Sequence, residues 1–575
     1  MPRTAFFFIT LIYVVKRLKI IFKIGSTRLL RNEKKTYPLY EMPDVCTLRE
    51  LVDNGREKGE SVTAFYRGRN NDQPITFGDC SRIIESLGTY LLSLGLNSDH
   101  IAIIGENSTE WVLSFLAVTN SGNAAVPIDR GLPNEDLAEL VLHCDCRAII
   151  YSEKCKEAIG FLRDLGKPYS DIMYIPLSDF DTYVADGTRL LDEGNTQFKD
   201  AGESIDRDTL ASIVYTSGTT GRMKGVMLSH GNLASDTVGA CRNAEADNAQ
   251  LLLPLHHTFA WSSQMLAAFI YIKDLHINGN LKHILKDFQH NSPQNVAAVP
   301  MMVDMLYKSI WDTARRSGSE KRLKRGIRLS RFLLKLGIDR RRSLFREVHE
   351  NFGGRLSLII CGGAALDPET EIGLDDLGIQ VLNGYGITEC SPIVSVNRNH
   401  HYKFGSVGLP LPCNRIKIDD PDENGIGEIM VAGSNVMLGY YKDPEATEEA
   451  FSGEWFRTGD YGRIDEDGFL YITGRKKNLI ILSNGENVMP EELEMKLERL
   501  EYVLDVVCYE ENGSITAEFY LDEEHFTDAR SRLEEDIDIF NRSMPMQKNI
   551  SGVKIRDIPF EKTTTMKIKR YLLNQ

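Results

Sequence analysis

Residues 213–230 read IVYTSGTTGRMKGVMLSH, and the order of residue types in this stretch decides how the rest of the chain is read. An extended apolar run, Leu210 to Tyr215, passes into six hydroxyl or glycine residues, Thr216, Ser217, Gly218, Thr219, Thr220 and Gly221, and then reaches Lys224. Such a loop can turn backbone N–H groups and hydroxyls toward phosphate oxygens, with a lysine to neutralise them. It is not the common nucleoside-triphosphate loop. That loop needs Gly-Lys-Ser/Thr beginning at position 223, where Met223-Lys224-Gly225 stands instead. A polar surface loop is the plain alternative. The coincidence of glycines, hydroxyls and one lysine directly after a strand weighs against it.

Upstream, Phe77 to Leu94 has apolar residues at helical spacing, Ile101 to Ile104 and Ala124 to Ile128 read as short buried strands, and Ser108 is placed to cap a helix through Trp111, Phe115 and Val118. Downstream, Asn295 to Val299, Leu356 to Cys361 and Gln380 to Leu382 repeat the alternation, with Ala148 to Tyr151 adding a strand before the loop. Strand and helix in turn predict mostly parallel sheets with flanking helices, an α/β fold. From Gly427 to Gly474 short extended runs separated by turns such as Asp465-Glu466-Asp467-Gly468 predict a small β unit of hairpins. Beyond it Pro490 opens a helix through Leu493, Leu497 and Leu500, and two strands follow at Tyr502 to Tyr509 and Ser514 to Tyr520. The expected organisation is a segment 1–40, a large domain 41–474, a hinge 475–478 and a small, mobile α+β domain 479–575.

With 575 residues, several hydrophobic cores are expected. The 67 Lys and Arg against 82 Asp and Glu give a net charge of -15, which argues against a general nucleic-acid binder. The 10 cysteines include no Cys-x-x-Cys pair, which suits a reducing, cytoplasmic setting. Charge is unevenly spread: Glu33 is the sole acidic residue of 1–36, where Lys16, Arg17, Lys19 and Lys23 follow the apolar run AFFFITLIYVV at 5–15. That run would be about 16 Å long as a helix, too short for a bilayer core of about 30 Å. Two readings stay open: a cationic interfacial segment, which would place the chain at the inner face of the plasma membrane, and a stretch that precedes a start at Met42 or folds onto the body.

The loop resembles that of the acyl-adenylate-forming (AMP-binding) enzymes, whose pattern Ser/Thr-Ser/Thr/Gly-Gly-Thr-Thr-Gly-x-x-Lys-Gly is matched throughout by Thr216 to Gly225. Further blocks occur in that family's order. LSLIICGGAAL at 356–366 ends a strand in Gly362, Gly363 and Ala364, which the resemblance sets against adenine. Asn383, Gly384, Tyr385, Gly386, Ile387, Thr388 and Glu389 match the Tyr-Gly-x-Thr-Glu block. The resemblance implies that Tyr385 stacks on adenine, that Thr388 bonds the α-phosphate and that Glu389, with Thr216, holds Mg2+. Asp460, in Thr-Gly-Asp, would take the ribose hydroxyls, Arg475 the ribose or phosphate, and Lys477 the hinge position. In PLHHTFAW at 254–261, His257 takes the place of the histidine where acyl carboxylate and nucleotide meet, and Trp261 would line the acyl tunnel. Lys567 takes the catalytic lysine's place, with Met566 where glycine is usual and Lys569 as fallback.

What this resemblance implies is a two-step ligase: ATP activates a carboxylic acid as acyl-AMP, and a thiol, of CoA or of an acyl-carrier protein, displaces AMP. The turn Ser483, Asn484, Gly485, Glu486, Asn487 would meet the pantetheine arm. Residues 315–346 carry 13 Lys and Arg against Glu320 and Asp339, interleaved with Leu329, Phe332, Leu333 and Leu336. This amphipathic stretch is like the insert of the family's long-chain fatty-acid members and suits an anionic membrane surface. A solvated helical face or a site for CoA phosphates are its alternatives. A membrane-associated binding protein with an inactive adenylating fold is the reading from another class, and Lys224, Glu389, Asp460, Arg475 and Lys567 argue against it.

Overall fold

Two seven-stranded sheets organise the large part of the chain. The computed structural model describes residues 37–67, 72–217, 223–277, 284–482, 487–562 and 568–573. The expectations for 1–36, Gly218 to Gly221, Ser483 to Glu486, Met566 and Lys567 therefore lie outside the described residues, as does the side chain of Ser217.

In the first sheet Met173–Pro176, Cys146–Tyr151, His100–Ile104, Ala124–Ile128 and Leu210–Ser217 run parallel in that spatial order. Ala124–Ile128 is buried at every position, as a strand covered on both faces must be. The helix Thr109–Asn120 covers it, capped by Ser108, whose hydroxyl accepts from the Trp111 N–H. In the second sheet Leu275–Ile277, Ala249–Leu251, Asn295–Ala298, Leu358–Cys361 and Gln380–Gly386 are parallel, and Ile393–Val396 and Leu409–Pro410 extend it antiparallel. The apolar residues between and around these layers form one large cluster that includes Trp111, Phe115, Trp261 and Phe269.

The glycine-rich segment departs from the simple strand-then-loop reading. Met223–Ser229 is itself a strand, antiparallel to Leu210–Ser217, so the segment joins the two arms of a hairpin and places Thr216 opposite Lys224. The cause lies in the residues after Lys224: Val226 and Leu228 alternate with polar or half-exposed neighbours, and both are fully buried in the extended form. The helix starts only at His230, where Ser229 and Asn232 form a capping box.

The expected β unit is a five-stranded sheet of Asn414–Asp419, Gly427–Gly433, Phe451–Ser452, Trp455–Ile464 and Leu470–Arg475. Asp465 makes its last turn, its carboxylate accepting from the N–H groups of Asp467 and Phe469. After the short turn Lys476–Asn478, the C-terminal part has its own apolar cluster, centred on Leu493, Tyr502, Phe519 and Leu533. The helix opened by Pro490 ends at Leu497, so Leu500 reaches that cluster from a turn and not from the helix. Among the described residues no helix is long and apolar enough to cross a membrane.

Candidate functional site

Parallel strands leave a crevice beyond their carboxyl ends, where connections diverge to opposite faces. In the second sheet that edge is defined by register: Ala298 lies beside Cys361, and Cys361 beside Asn383. Past Cys361 the chain turns through Gly363 at φ +94°, a conformation that favours glycine. Gly363 and Ala364 are exposed, while Gly362 is buried. A Cβ on Gly362 would stand 3.3 Å from the ring of Phe259, so this glycine lets the 257–261 segment close on the strand end. The sequence blocks at 254–261, 362–364 and 383–389 thus meet at one edge. Asn383 is buried there, and its Oδ1 has no hydrogen-bond partner among the described residues, leaving an acceptor for a ligand's donor.

Two polar clusters flank this edge. In one, the Tyr385 hydroxyl donates to Asp460 Oδ2 at 2.7 Å, and Arg475 Nε lies 3.0 Å from Asp460 Oδ1. Asp460 is only 3 % exposed. Its position follows from Gly459, whose φ of +68° lets the Asp460 N–H donate back to Thr458 Oγ1, while Thr458 donates to the Ile429 carbonyl. Burial and the adjacent Asp460 carboxylate push the Tyr385 hydroxyl well above its ordinary pKa, so it stays a donor. A carboxylate has about four lone-pair sites, and Tyr385 and Arg475 occupy one each, so Asp460 can still accept from a diol.

In the other cluster, the Tyr440 hydroxyl donates to Glu389 Oε1 at 2.9 Å, and Lys224 Nζ stands 4.7 Å from the centroid of the Tyr440 ring. Backbone bonds fix the triad: the Met437 N–H donates to the Glu389 carbonyl, Leu438 to Met227 and Tyr441 to Gly225. The segment 437–441 therefore ties the Thr388–Cys390 turn to the hairpin arm that carries Lys224. Burial and Glu389 raise the Tyr440 pKa, which keeps this hydroxyl protonated too.

Beneath the turn lies a network that the sequence reading did not anticipate. Asp236 is fully buried; its Oδ1 accepts from the Ile393 N–H at 3.0 Å and from Asn435 Nδ2 at 3.1 Å. Asn435 Nδ2 also reaches the carbonyls of Cys390 and Ile393, and Ser391 Oγ donates to the Asn435 carbonyl. Burial pushes the Asp236 carboxyl up to about 8, against the opposing effect of its hydrogen bonds. No spacing in the sequence marks Asp236, Asn435, Tyr440 or Phe259. Gly439 and Tyr440 follow an apolar run and read as an ordinary strand.

The remaining expected residues fall as follows. His257 precedes the turn that places Phe259, with its ring 4.2 Å from that of His256; His256 Nε2 is 3.6 Å from Asp129 Oδ2, and burial lowers its pKa against the pull of that carboxylate. Trp261 is fully buried, donates from Nε1 to the Leu255 carbonyl at 2.8 Å, and packs on Phe115 at the start of a π-helical turn, Trp261–Met265. Lys477 lies in the turn after Arg475. Gly384 and Gly386 belong to the strand Gln380–Gly386, and a Cβ on Gly386 would come within 2.3 Å of the Pro392 carbonyl oxygen.

Among the described residues no three His, Cys, Asp or Glu side chains gather to hold a metal. Glu389 keeps one carboxylate oxygen without a partner among those residues. A single such oxygen suits Mg2+, which commonly takes one or two protein ligands and completes its shell with phosphates and water.

This chain matches the AMP-binding enzyme family over residues 53–441, more than half its length, and belongs to that family. Among curated proteins it is 29 % identical to fatty acyl-CoA synthetase A of Dictyostelium discoideum over 540 residues, covering 84 % of this chain and 78 % of that one. It is 28 % identical to long-chain-fatty-acid-CoA ligase 1 of Homo sapiens, covering 82 % and 73 %. Among solved structures, an anthranilate CoA ligase in complex with anthranoyl-AMP superposes with a TM-score of 0.73 at 18 % identity, over 94 % of this chain and 97 % of that one. The o-succinylbenzoate CoA synthetase of Bacillus subtilis, in complex with ATP and magnesium ion, gives 0.68 at 22 %, over 91 % and 99 %. These superpositions establish the α/β fold, a large domain followed by a C-terminal β/α unit.

Proposed function

We propose that the protein activates a long-chain fatty acid with ATP, forming acyl-AMP and releasing pyrophosphate, and then transfers the acyl group to CoA. The observation that carries this reading is the convergence of Lys224, Tyr440 and Glu389 with Tyr385, Asp460 and Arg475 along one chain segment, 385–389, at the carboxyl edge of a parallel sheet. The curated relatives' names support the fatty acid and the thiol acceptor.

A carboxylate oxygen attacks the α-phosphorus, the bond from that phosphorus to the pyrophosphate oxygen breaks, and a mixed anhydride remains. Two anions must meet for this, so the site has to supply opposing charge and hold the reactants in line. Lys224, with Thr216 opposite it across the hairpin, faces the phosphates together with the Ser217 to Gly221 segment and Thr388. Adenine lies against Gly362, Gly363 and Ala364 with Tyr385, the Asn383 amide oxygen meeting its donor, and Asp460 and Arg475 hold the ribose. Glu389, with Thr216, would hold Mg2+ arriving with the nucleotide, which would supply further positive charge. His257 stands where carboxylate meets nucleotide, and Lys567 approaches from the C-terminal part. In the second step the CoA sulfur attacks the acyl carbon and AMP leaves; Lys477 serves as the hinge, and the Ser483 to Glu486 turn flanks the pantetheine.

ATP–pyrophosphate exchange across saturated acids of increasing length tests the first step without an acceptor. Activity rising toward long chains supports the reading; exchange confined to short or aromatic acids contradicts it. The Lys567→Ala variant should lose exchange and still convert supplied acyl-AMP and CoA to thioester, and equal loss of both steps would remove Lys567 from the adenylating role.

A further inference from the structure

The helix Asn134–His143 passes into the strand Cys146–Tyr151 through a two-residue join, Cys144 and Asp145. Cys144 closes the helix, its N–H donating to the Leu140 carbonyl. Asp145 follows at φ +51°, in the left-handed region that Asn and Asp enter more readily than other side chains. In an extended chain residues i and i+2 stand about 7 Å apart. Here the turn at Asp145 brings the Cys144 and Cys146 sulfurs to 2.9 Å. Both are free thiols; Cys146 is 7 % exposed, and Asp145 between them is open to solvent.

Four polar contacts tie this turn to segments beside the candidate site. Asp145 Oδ2 accepts from the Tyr441 hydroxyl at 2.7 Å and pairs with Lys442 Nζ at 2.7 Å. Lys442 Nζ also donates to the His143 carbonyl at 2.9 Å, and His143 Nδ1 lies 2.7 Å from the Tyr215 hydroxyl. Tyr215 precedes Thr216. Tyr441 follows Tyr440, whose hydroxyl holds Glu389 and whose ring faces Lys224, and the Tyr441 N–H donates to Gly225, the residue after that lysine. The two-cysteine turn thus grips the chain one position from Thr216 and one position from Tyr440.

We infer that Cys144 and Cys146 are a site of reversible disulfide formation, with a low-molecular-weight disulfide as oxidant, and that the bond loosens the Lys224–Tyr440–Glu389 cluster. One cysteine, as thiolate, attacks a sulfur of the small disulfide; that S–S bond breaks, a small thiol leaves with the proton, and a mixed disulfide remains. The second cysteine gives up its proton and attacks the first cysteine's sulfur, and a second small thiol leaves. Two electrons pass from the pair to the reagent. Closing the sulfurs from 2.9 Å to a bond of about 2.05 Å draws the two cysteines together across Asp145. Asp145 must turn as they close, and its carboxylate is the one that Tyr441 and Lys442 share. The hydrogen bond with Cys144 and burial push the Cys146 thiol well above its ordinary pKa, so the exchange is slow near neutrality and quickens as pH rises. A reducing compartment is compatible with such a bond, since disulfides there are transient and sense redox state. The effect on activity rests on the ligase reading above; the bond itself does not.

The full chain, equilibrated in glutathione buffers of rising oxidised fraction and then unfolded in iodoacetamide, tests it. The tryptic peptide 131–147 holds Cys144 and Cys146 and no other cysteine. It should carry two alkyl groups after reduced buffer, and neither alkyl group nor glutathione after oxidised buffer. Amide hydrogen exchange across 437–442 should quicken about tenfold in the oxidised chain, as the Leu438 and Tyr441 N–H bonds open more often. ATP–pyrophosphate exchange at limiting ATP should fall about tenfold and return with dithiothreitol. Cys144→Ser should match the wild type in reductant and keep its activity in oxidised buffer. Full alkylation of 131–147, or a lasting glutathione adduct on it, in the most oxidising buffer overturns the site. A bond that leaves amide exchange at 437–442 unchanged overturns the coupling, and so does an equal loss of activity in Cys144→Ser. Absence of pyrophosphate exchange in the reduced wild type would count against the ligase reading alone, because the first two measurements need no substrate.

Discussion

The proposed nucleotide edge and the outer face of the helix Glu320–Lys335 treat polar groups in opposite ways. At the edge, Asp460 and Glu389 are already engaged by Tyr385, Arg475 and Tyr440, and Asp236 is buried beneath with its hydrogen bonds aimed at the turn. On the helix the cations Arg325, Arg328 and Lys335 are unpaired, and the apolar groups Leu329, Phe332 and Leu336 face outward. The first region is organised before any ligand arrives, so little reorganisation is left to the moment of binding. The second holds its cations and its apolar row toward solvent. Groups that satisfy one another make a preformed pocket, and groups left to solvent do not.

The most severe test of the preorganised edge is Asp460→Ala, which removes the acceptor shared by Tyr385 and Arg475 together with the proposed ribose contact. ATP–pyrophosphate exchange should fall about 100- to 1000-fold, as expected when a site built for hydrogen bonds is left with unpaired donors. A fall below tenfold would show that the nucleotide does not lie against Asp460.

Asp236 tests the support beneath the turn. Asp236→Ala leaves the Ile393 N–H and part of the Asn435 amide without an acceptor and should cost about 2–4 kcal/mol of stability in urea unfolding. Asp236→Asn keeps the acceptor and should cost far less. Its pH profile sharpens the point. The folded carboxyl holds its proton up to about 8, while an unfolded aspartate releases it near about 4. The protonated group therefore contributes its full stability at low pH, and that contribution is lost as pH rises toward 8. Asp236→Asn, which has no proton to lose, should flatten the decline between these values; an unchanged profile would assign the pH dependence to other groups.

Tyr385→Phe is the mildest of the three. It keeps the ring at the edge and removes only the bond to Asp460, so KM for ATP should rise about tenfold or less with the fold intact. A fall in kcat with KM unchanged would instead mean that the hydroxyl acts in the chemical step.

Much of this was legible in the residues. Ala124–Ile128 appears as a strand within the limits that its uninterrupted apolar run suggests, and Thr76 to Ser93 shows why the helix at 77 starts where it does: Thr76 and Asp79 form a capping box. The motif blocks at 362–364, 383–389, 460 and 475 were legible because glycine, hydroxyl and carboxylate groups stand out against apolar strands. The hairpin at 216–225 was less so. A loop rich in glycine is compatible with a helix or a strand after it, and burial of Val226 and Leu228 decided between them. Asp236 and Asn435 were not legible at all, since 199 residues separate them and their meaning is a shared hydrogen bond.

By itself the chain determined its α/β alternation, its small β unit, the identity of its chemical groups and the concentration of positive charge at 315–346, because each depends on residue types and short spacings along one dimension. Tertiary structure alone decided which groups meet: that Tyr440 joins Glu389 to Lys224, that Asp236 carries the turn from below, and that the row at 329, 332 and 336 faces outward. Long-range packing fixes which face each element buries, and burial governs the strength of a hydrogen bond or the freedom of a charge.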